Sequence, residues 1–247
     1  MSHNVCKRTS WALGCLILMM LLGHGVTARA QEQAGDAGGE ADAGAGASGS
    51  MEAEVHCANL VYGDGKTSVC FSDAFLTVVR EETNIRAHRG FDSVKLGSAE
   101  LFDYPFAVMS GEGAFELTDD QLANLKDYLT GGGFLLASSG CSSEAWGTSF
   151  RRAIRSLFPD ARAVKLEADH PVFHSVYDVV KSRYKTGGPR LPRLEALEID
   201  GRIVMIWSPD GLNDTDNAGG NCCCCGGNEA RSARKLNVNI LAYALTH

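Results

Sequence analysis

Three groups of side chains in this sequence have the types and spacing for chemistry. The first centres on Cys141, which ends the run Phe134-Leu135-Leu136-Ala137-Ser138-Ser139-Gly140-Cys141, an apolar stretch followed by small residues. A nucleophile elbow folds a reactive residue into a sharp strand-to-helix turn, and the residues two before and two after must be small for the backbone to pass. Ser139 and Ser143 meet that demand. A helix starting just beyond, near Trp146, would bias the thiol toward thiolate and offer N–H groups to an oxyanion. Hydrolytic cysteines also need a base that a third group orients, and His170 and His174 are the histidines on offer. Cys141 therefore has two open readings: a nucleophile, or a structural or disulfide cysteine.

The second group is Asp169-His170-Pro171-Val172-Phe173-His174. Pro171 suits the first helical position, which would set His170 and His174 about a turn apart, as in a metal site. Two imidazoles supply only half of a tetrahedral centre. In the competing reading Asp169 or His170 caps a short helix or turn while Pro171, Phe173 and Tyr177 pack against a sheet. The third group is the run Cys222-Cys223-Cys224-Cys225 between Gly219-Gly220-Asn221 and Gly226-Gly227-Asn228. Neighbouring Cα atoms are ~3.8 Å apart, too close for an unstrained disulfide, so these cysteines look to Cys57, Cys70 and Cys141 as distant partners. Cys222 and Cys225 keep the C-x-x-C spacing of zinc and redox sites, so zinc is the cofactor this loop could take; disulfides are the default in an exported chain.

The elements that must position these groups are clearest from Leu101 to Cys141. Phe106 to Met109 and Phe134 to Ala137 are continuous apolar runs, as expected of parallel strands covered on both faces. Between them Thr118 and Gln121 have capping-box spacing, Leu122, Leu125 and Leu129 share a helical face, and Gly131-Gly132-Gly133 stop the helix. That is one βαβ unit, and both strands end on the same edge of the sheet. Ligands bind at the carboxyl ends of strands in such sheets, so Gly111, Glu112, Gly113, Ser139 and Gly140, together with Asp169, are the residues expected to face a ligand. Gly111-Glu112-Gly113 lacks the third glycine, in register with a helix start, that a dinucleotide fingerprint needs. Further strands are expected over Val55 to Tyr62, Val94 to Leu96, Val164 to Leu166 and Arg202 to Trp207. Helices are expected after Ser72-Asp73, from about Trp146 to Phe158 before Pro159, and over the C-terminal segment carrying Leu236, Ile240 and Ala244. Ser208-Pro209-Asp210-Gly211 reads as a turn with Asp210 and Asp214 facing solvent.

Residues 1–30 have the order of a secretory signal: Lys7 and Arg8, an apolar stretch from Trp11 to Leu22, and Ala28-Arg29-Ala30 as the cleavage site. The apolar stretch is shorter than the roughly 20 residues of a membrane span, so cleavage after Ala30 and a periplasmic or secreted product without a transmembrane segment are expected. Residues 31–50 hold no side chain larger than Ala that could enter a core, and Glu32, Asp36, Glu40 and Asp42 keep them solvated as a disordered linker. A single α/β domain over residues 51–247 remains. The leader holds three of the 23 basic residues and none of the 30 acidic ones, so the exported chain carries a formal charge of about −10, which argues against nucleic acid as a partner.

The Gly111-x-Gly113-x-Phe115 turn, the Asp120, Leu125, Tyr128 and Leu129 helix pattern and Gly132-Gly133-Phe134-Leu135 together resemble the exported bacterial domain of unknown function DUF4159. Ser149-Phe150-Arg151-Arg152, Phe158-Pro159, Asp169 to Tyr177, Glu198 to Arg202 and Val238 to Thr246 continue the resemblance over roughly residues 54–247. It implies a fold similar to class I glutamine amidotransferases, a three-layer, mostly parallel sheet flanked by helices in the flavodoxin-like manner, and it implies no established activity. The sequence departs from amidotransferase elbows, which usually have Gly at both flanking positions and a downstream His-x-Glu. The resemblance also implies a protein or small molecule of the cell envelope as partner. A noncatalytic binding module is therefore the expected function, with a cysteine- or metal-dependent hydrolase of amides or esters as the alternative.

Overall fold

The computed structural model describes residues 54–65, 70–218 and 227–247. The expected leader, the linker, and the cysteines from Cys222 to Cys225 with their metal or disulfide reading lie outside the described residues. The strands are β1 (Val55–Val61), β2 (Ala87–Lys95), β3 (Phe106–Gly111), β4 (Phe134–Ser139), β5 (Val164–Lys165), β6 (Glu195–Ile199) and β7 (Arg202–Ser208). The helices are α1 (Ala74–Glu82), α2 (Asp119–Thr130), α3 (Glu144–Leu157) and α4 (Ala233–Thr246). The strands form one sheet in the order β2-β1-β3-β4-β7-β6-β5. Five run parallel, from β2 to β7, in the doubly wound order in which the chain first moves to one side of β1 and then to the other; β6 and β5 continue antiparallel.

Alternation along the strands sends successive side chains to opposite faces and builds two cores. Cys57, Phe106, Val108, Phe134, Leu136 and Ile206 meet Phe75, Leu76 and Val79 of α1 and Leu236, Ile240 and Leu241 of α4. Ala58, Leu60, Ala107, Met109, Leu135, Ala137 and Trp207 meet Leu125 and Leu129 of α2 and Trp146, Phe150 and Ile154 of α3. Burial on both faces explains why β3 and β4 read as unbroken apolar runs. The expected capping box is formed: Thr118 Oγ1 accepts from Gln121 N, and Gln121 Oε1 accepts from Thr118 N.

Two elements differ from the sequence expectation. The strand expected at Val94 to Leu96 starts earlier, at Ala87, because an edge strand tolerates the polar residues His88, Arg89 and Asp92. A strand not expected, β6, pairs with β7 as a hairpin whose turn residues Asp200 and Gly201 both have positive φ (51° and 78°). Asp-Gly in a two-residue turn is the hairpin signal, and the short flanking strands Glu195–Ile199 and Arg202–Ser208 carry it here. Among the described residues no helix is long and apolar enough to cross a membrane.

Candidate functional site

The carboxyl ends of β3, β4 and β7 converge on Gly140-Cys141. Beyond Ser139 the chain makes a tight turn in which Cys141 (φ 52°, ψ 26°) and Ser142 (φ 57°) are left-handed, and α3 then begins at Glu144 with Ser143 capping it. Left-handed backbone at a side chain other than Gly costs energy and persists where its surroundings hold it. Here the holders are identifiable. Cys141 N donates to Glu229 Oε1 (2.8 Å), Ser142 Oγ donates to the Asp210 carbonyl (2.7 Å) and accepts from Asn228 N (3.1 Å), and Ser143 Oγ donates to the Glu112 carbonyl. The strand, sharp turn and helix expected around Cys141 are therefore present.

Glu229 is 6% exposed. Burial pushes its carboxyl up to about 7, with the Cys141 N–H pulling it down and the nearby charge of Glu112 pushing it further up. Cys141 is half-buried, and Gly227 lies directly on it: a β-carbon on Gly227 would come within 2.3 Å of the Cys141 carbonyl. Cys70 is disulfide-bonded. Cys57 is fully buried in β1, and burial pushes its thiol to about 12, which makes it an inert core residue.

Under the turn lies a polar core. Asn213, fully buried in the loop after β7, accepts on Oδ1 from Ser110 Oγ (2.9 Å) and Ser138 Oγ (2.7 Å). Among the described residues its Nδ2 has no hydrogen-bond partner. That amide faces the α-carbon of Gly140, where a β-carbon would meet Asn213 Nδ2 at 2.9 Å and the Gly111 carbonyl at 3.1 Å. A buried donor without a partner costs about 1–3 kcal/mol, which makes this a place where an oxygen atom would be welcome.

The other expected ligand residues divide. Gly111 is required by packing, since a β-carbon there would come within 2.3 Å of the Tyr62 hydroxyl, itself held by Trp146 Nε1 (2.6 Å). Ser139 is buried and its Oγ accepts from the Trp207 indole (3.1 Å), so it serves the turn. Glu112 and Gly113 are exposed beside the turn, Gly113 with open space around it. Asp210 and Asp214, expected in solvent, are instead largely buried. Asp210 accepts from Tyr184 Oη (3.1 Å) and Arg193 N (3.3 Å) and lies 3.6 and 3.5 Å from the Arg190 and Arg193 guanidinium groups; Asp214 pairs with Arg234 at 3.0 Å. The segment from Ser182 to Arg193 folds over the end of β7, and its cations neutralise Asp210, while α4 supplies the partner of Asp214; turn chemistry alone would leave both carboxylates in water.

The structure does not bring His170, His174 or Asp169 to Cys141. His170 caps the 3-10 turn Pro171–Phe173, its Nδ1 accepting from Val172 N (3.2 Å), and its ring packs on Tyr243 near the end of α4, beside Arg202 at the start of β7. That is the amino edge of the sheet. His174 is held by Asp178 (2.7 Å) and the Ala168 carbonyl (2.8 Å), so neither ring nitrogen is turned toward His170 as a second metal ligand. Those partners raise its pKa, Asp178 more than the carbonyl, whereas burial lowers that of His170. The capping reading of this segment is the one the geometry follows. His56 and His88 stack at the starts of β1 and β2, again at the amino edge. Among the described residues no three His, Cys, Asp or Glu side chains are grouped to hold a metal.

Glu229 and Asn213 escaped the sequence reading. Glu229 lies 88 positions beyond Cys141, and no local spacing marks it. Asn213 stands in Leu212-Asn213-Asp214, which reads as loop polarity. A domain of unknown function, DUF4159, matches residues 56–245, and no curated protein matches the chain.

Proposed function

Starting from the fact that the chain belongs to the DUF4159 family, we propose that it is a noncatalytic binding module of the cell envelope, on an amidotransferase-like scaffold, that receives an oxygen-bearing ligand group at Gly140-Cys141. The observation that carries this reading is the buried Asn213 Nδ2, which has no partner among the described residues and faces Gly140 between the ends of β3 and β4. The backbone N–H of Cys141 is taken by the Glu229 carboxyl, which ties the turn to the loop after β7. Gly227 covers the Cys141 backbone, and the described histidines that could act as base lie elsewhere. Placement in the envelope rests on the signal-like order of residues 1–30.

A hydrolase is the second reading, favoured by one observation: Glu229, with a carboxyl near 7, touches a strained cysteine, and such a group can act as general acid or base. One set of measurements separates the two. Carboxylate- and amide-bearing small molecules are screened by thermal shift against the wild type and Gly140→Ala, whose methyl group occupies the space before Asn213. Stabilisation of the wild type alone supports binding at this site. Ester or amide turnover that Cys141→Ser abolishes would replace it with the hydrolase.

A further inference from the structure

On the sheet face covered by α2 and α3, α3 and the β6-β7 hairpin enclose a cavity of about 510 Å³. Its floor is apolar. Met205 and Trp207 stand two apart on β7 and so project to one face, where the Trp207 ring lies under the Arg151 guanidinium at 4.9 Å. Its rim is cationic. Arg151 and Arg155 follow one another by a helical turn on α3, and Arg162 returns to the same cavity after Pro159 has ended the helix.

None of the salt bridges among the described residues uses Arg151, Arg155 or Arg162, although the neighbouring Arg152 reaches Glu116 at 3.8 Å. Glu195 lines the same cavity and is likewise in no salt bridge among the described residues. Arg155 in the last turn of α3 suits the helix dipole, but like charges one helical turn apart oppose helix formation, and neither effect accounts for Arg162 joining them in a chain of net charge −7. A recess of this size, with an aromatic floor and guanidinium groups whose planar forks match carboxylate and phosphate oxygens, has the make-up of a small-molecule site.

We propose that this cavity binds an amphiphilic anion: an apolar body laid against Pro159, Ala161 and Ala163 above the Trp207–Met205 floor, with a carboxylate or phosphate held by Arg151, Arg155 and Arg162. Glu195 opposes the anion and sets the side of the cavity from which the head group is kept. The cavity shares no lining residue with the Gly140-Cys141 turn, although the Trp207 indole reaches Ser139 at 3.1 Å, and the proposal does not rest on the function proposed there.

The test is isothermal titration calorimetry on the exported chain with octyl phosphate, octanoate, octanol and inorganic phosphate. One of the two amphiphiles should bind more tightly than octanol and inorganic phosphate, and the better of them identifies the head group. Arg155→Gln and Arg162→Gln, both at exposed positions that leave the core untouched, should each weaken that binding by roughly tenfold. Glu195→Gln should strengthen it, a result that a merely structural Glu195 would not give. Added salt should weaken it. Equal binding of octanol, equal binding of inorganic phosphate, arginine variants that bind as the wild type does, or no binding by any of the four would each overturn the proposal.

Discussion

Replacing Glu229 by Gln should make the protein more stable at alkaline pH and leave it nearly unchanged at acid pH. The carboxyl is buried and its folded-state value lies near 7, above the ordinary 4.5. Between those values the folded protein keeps a proton that the unfolded chain has released, so this group's contribution is complete below 4.5, falls as pH rises toward 7 and is level above it. At about 1.4 kcal/mol per pH unit, the interval from 4.5 to about 7 amounts to about 3 kcal/mol. Gln keeps an oxygen to accept the Cys141 N–H and carries no charge into the turn. Urea unfolding of wild type and Glu229→Gln at pH 4 and pH 8 isolates the effect, because other carboxylates contribute equally to both. The variant should gain about 3 kcal/mol on the wild type between the two pH values. Parallel stabilities across that range, or a variant less stable at pH 8, would refute the assignment of a costly buried charge at the elbow.

Two further outcomes are expected. Cys141→Gly should equal or exceed the wild type in thermal stability because Gly adopts φ 52° without strain, whereas Cys141→Val should lose roughly 1–3 kcal/mol; similar losses from both would show that the left-handed turn stores no strain. His174 should titrate above 6.5 by NMR, with its stabilising effect present below 6.5 and lost as pH rises through the folded value, and Asp178→Asn should bring the midpoint down; a wild-type midpoint at or below 6.5 would contradict the pairing.

What could be read from the sequence follows from how local each cause is. The β3-α2-β4 unit depends on apolar runs, a capping box and glycine punctuation within some forty residues, and it forms as expected. The turn at Cys141 was legible for the same reason: small neighbours and a following helix are local facts. Pairing across the sheet was not. The cations that bury Asp210 come from Arg190 and Arg193, about twenty positions earlier, and the carboxyl that holds Cys141 comes from the far side of β7. Histidines attract attention in a sequence by type, yet the strand starts and the turn that carry them put His56, His88 and His170 at the edge of the sheet away from the cysteine.

The order in which the chain supplies the Cys141 turn has a consequence for biogenesis. β1 to β4 and the turn itself are complete once residue 143 has emerged, but Asn213 and Glu229 follow about 70 and 90 residues later, and α4, which packs beside α1, comes last. A nascent chain that has not reached residue 210 lacks every partner beyond β7 that holds the Cys141 turn, and until α4 follows one sheet face lacks its cover. Closure of the Cys141 turn therefore waits on the last third of the chain, and until then its thiol is more open to oxidation than in the folded domain.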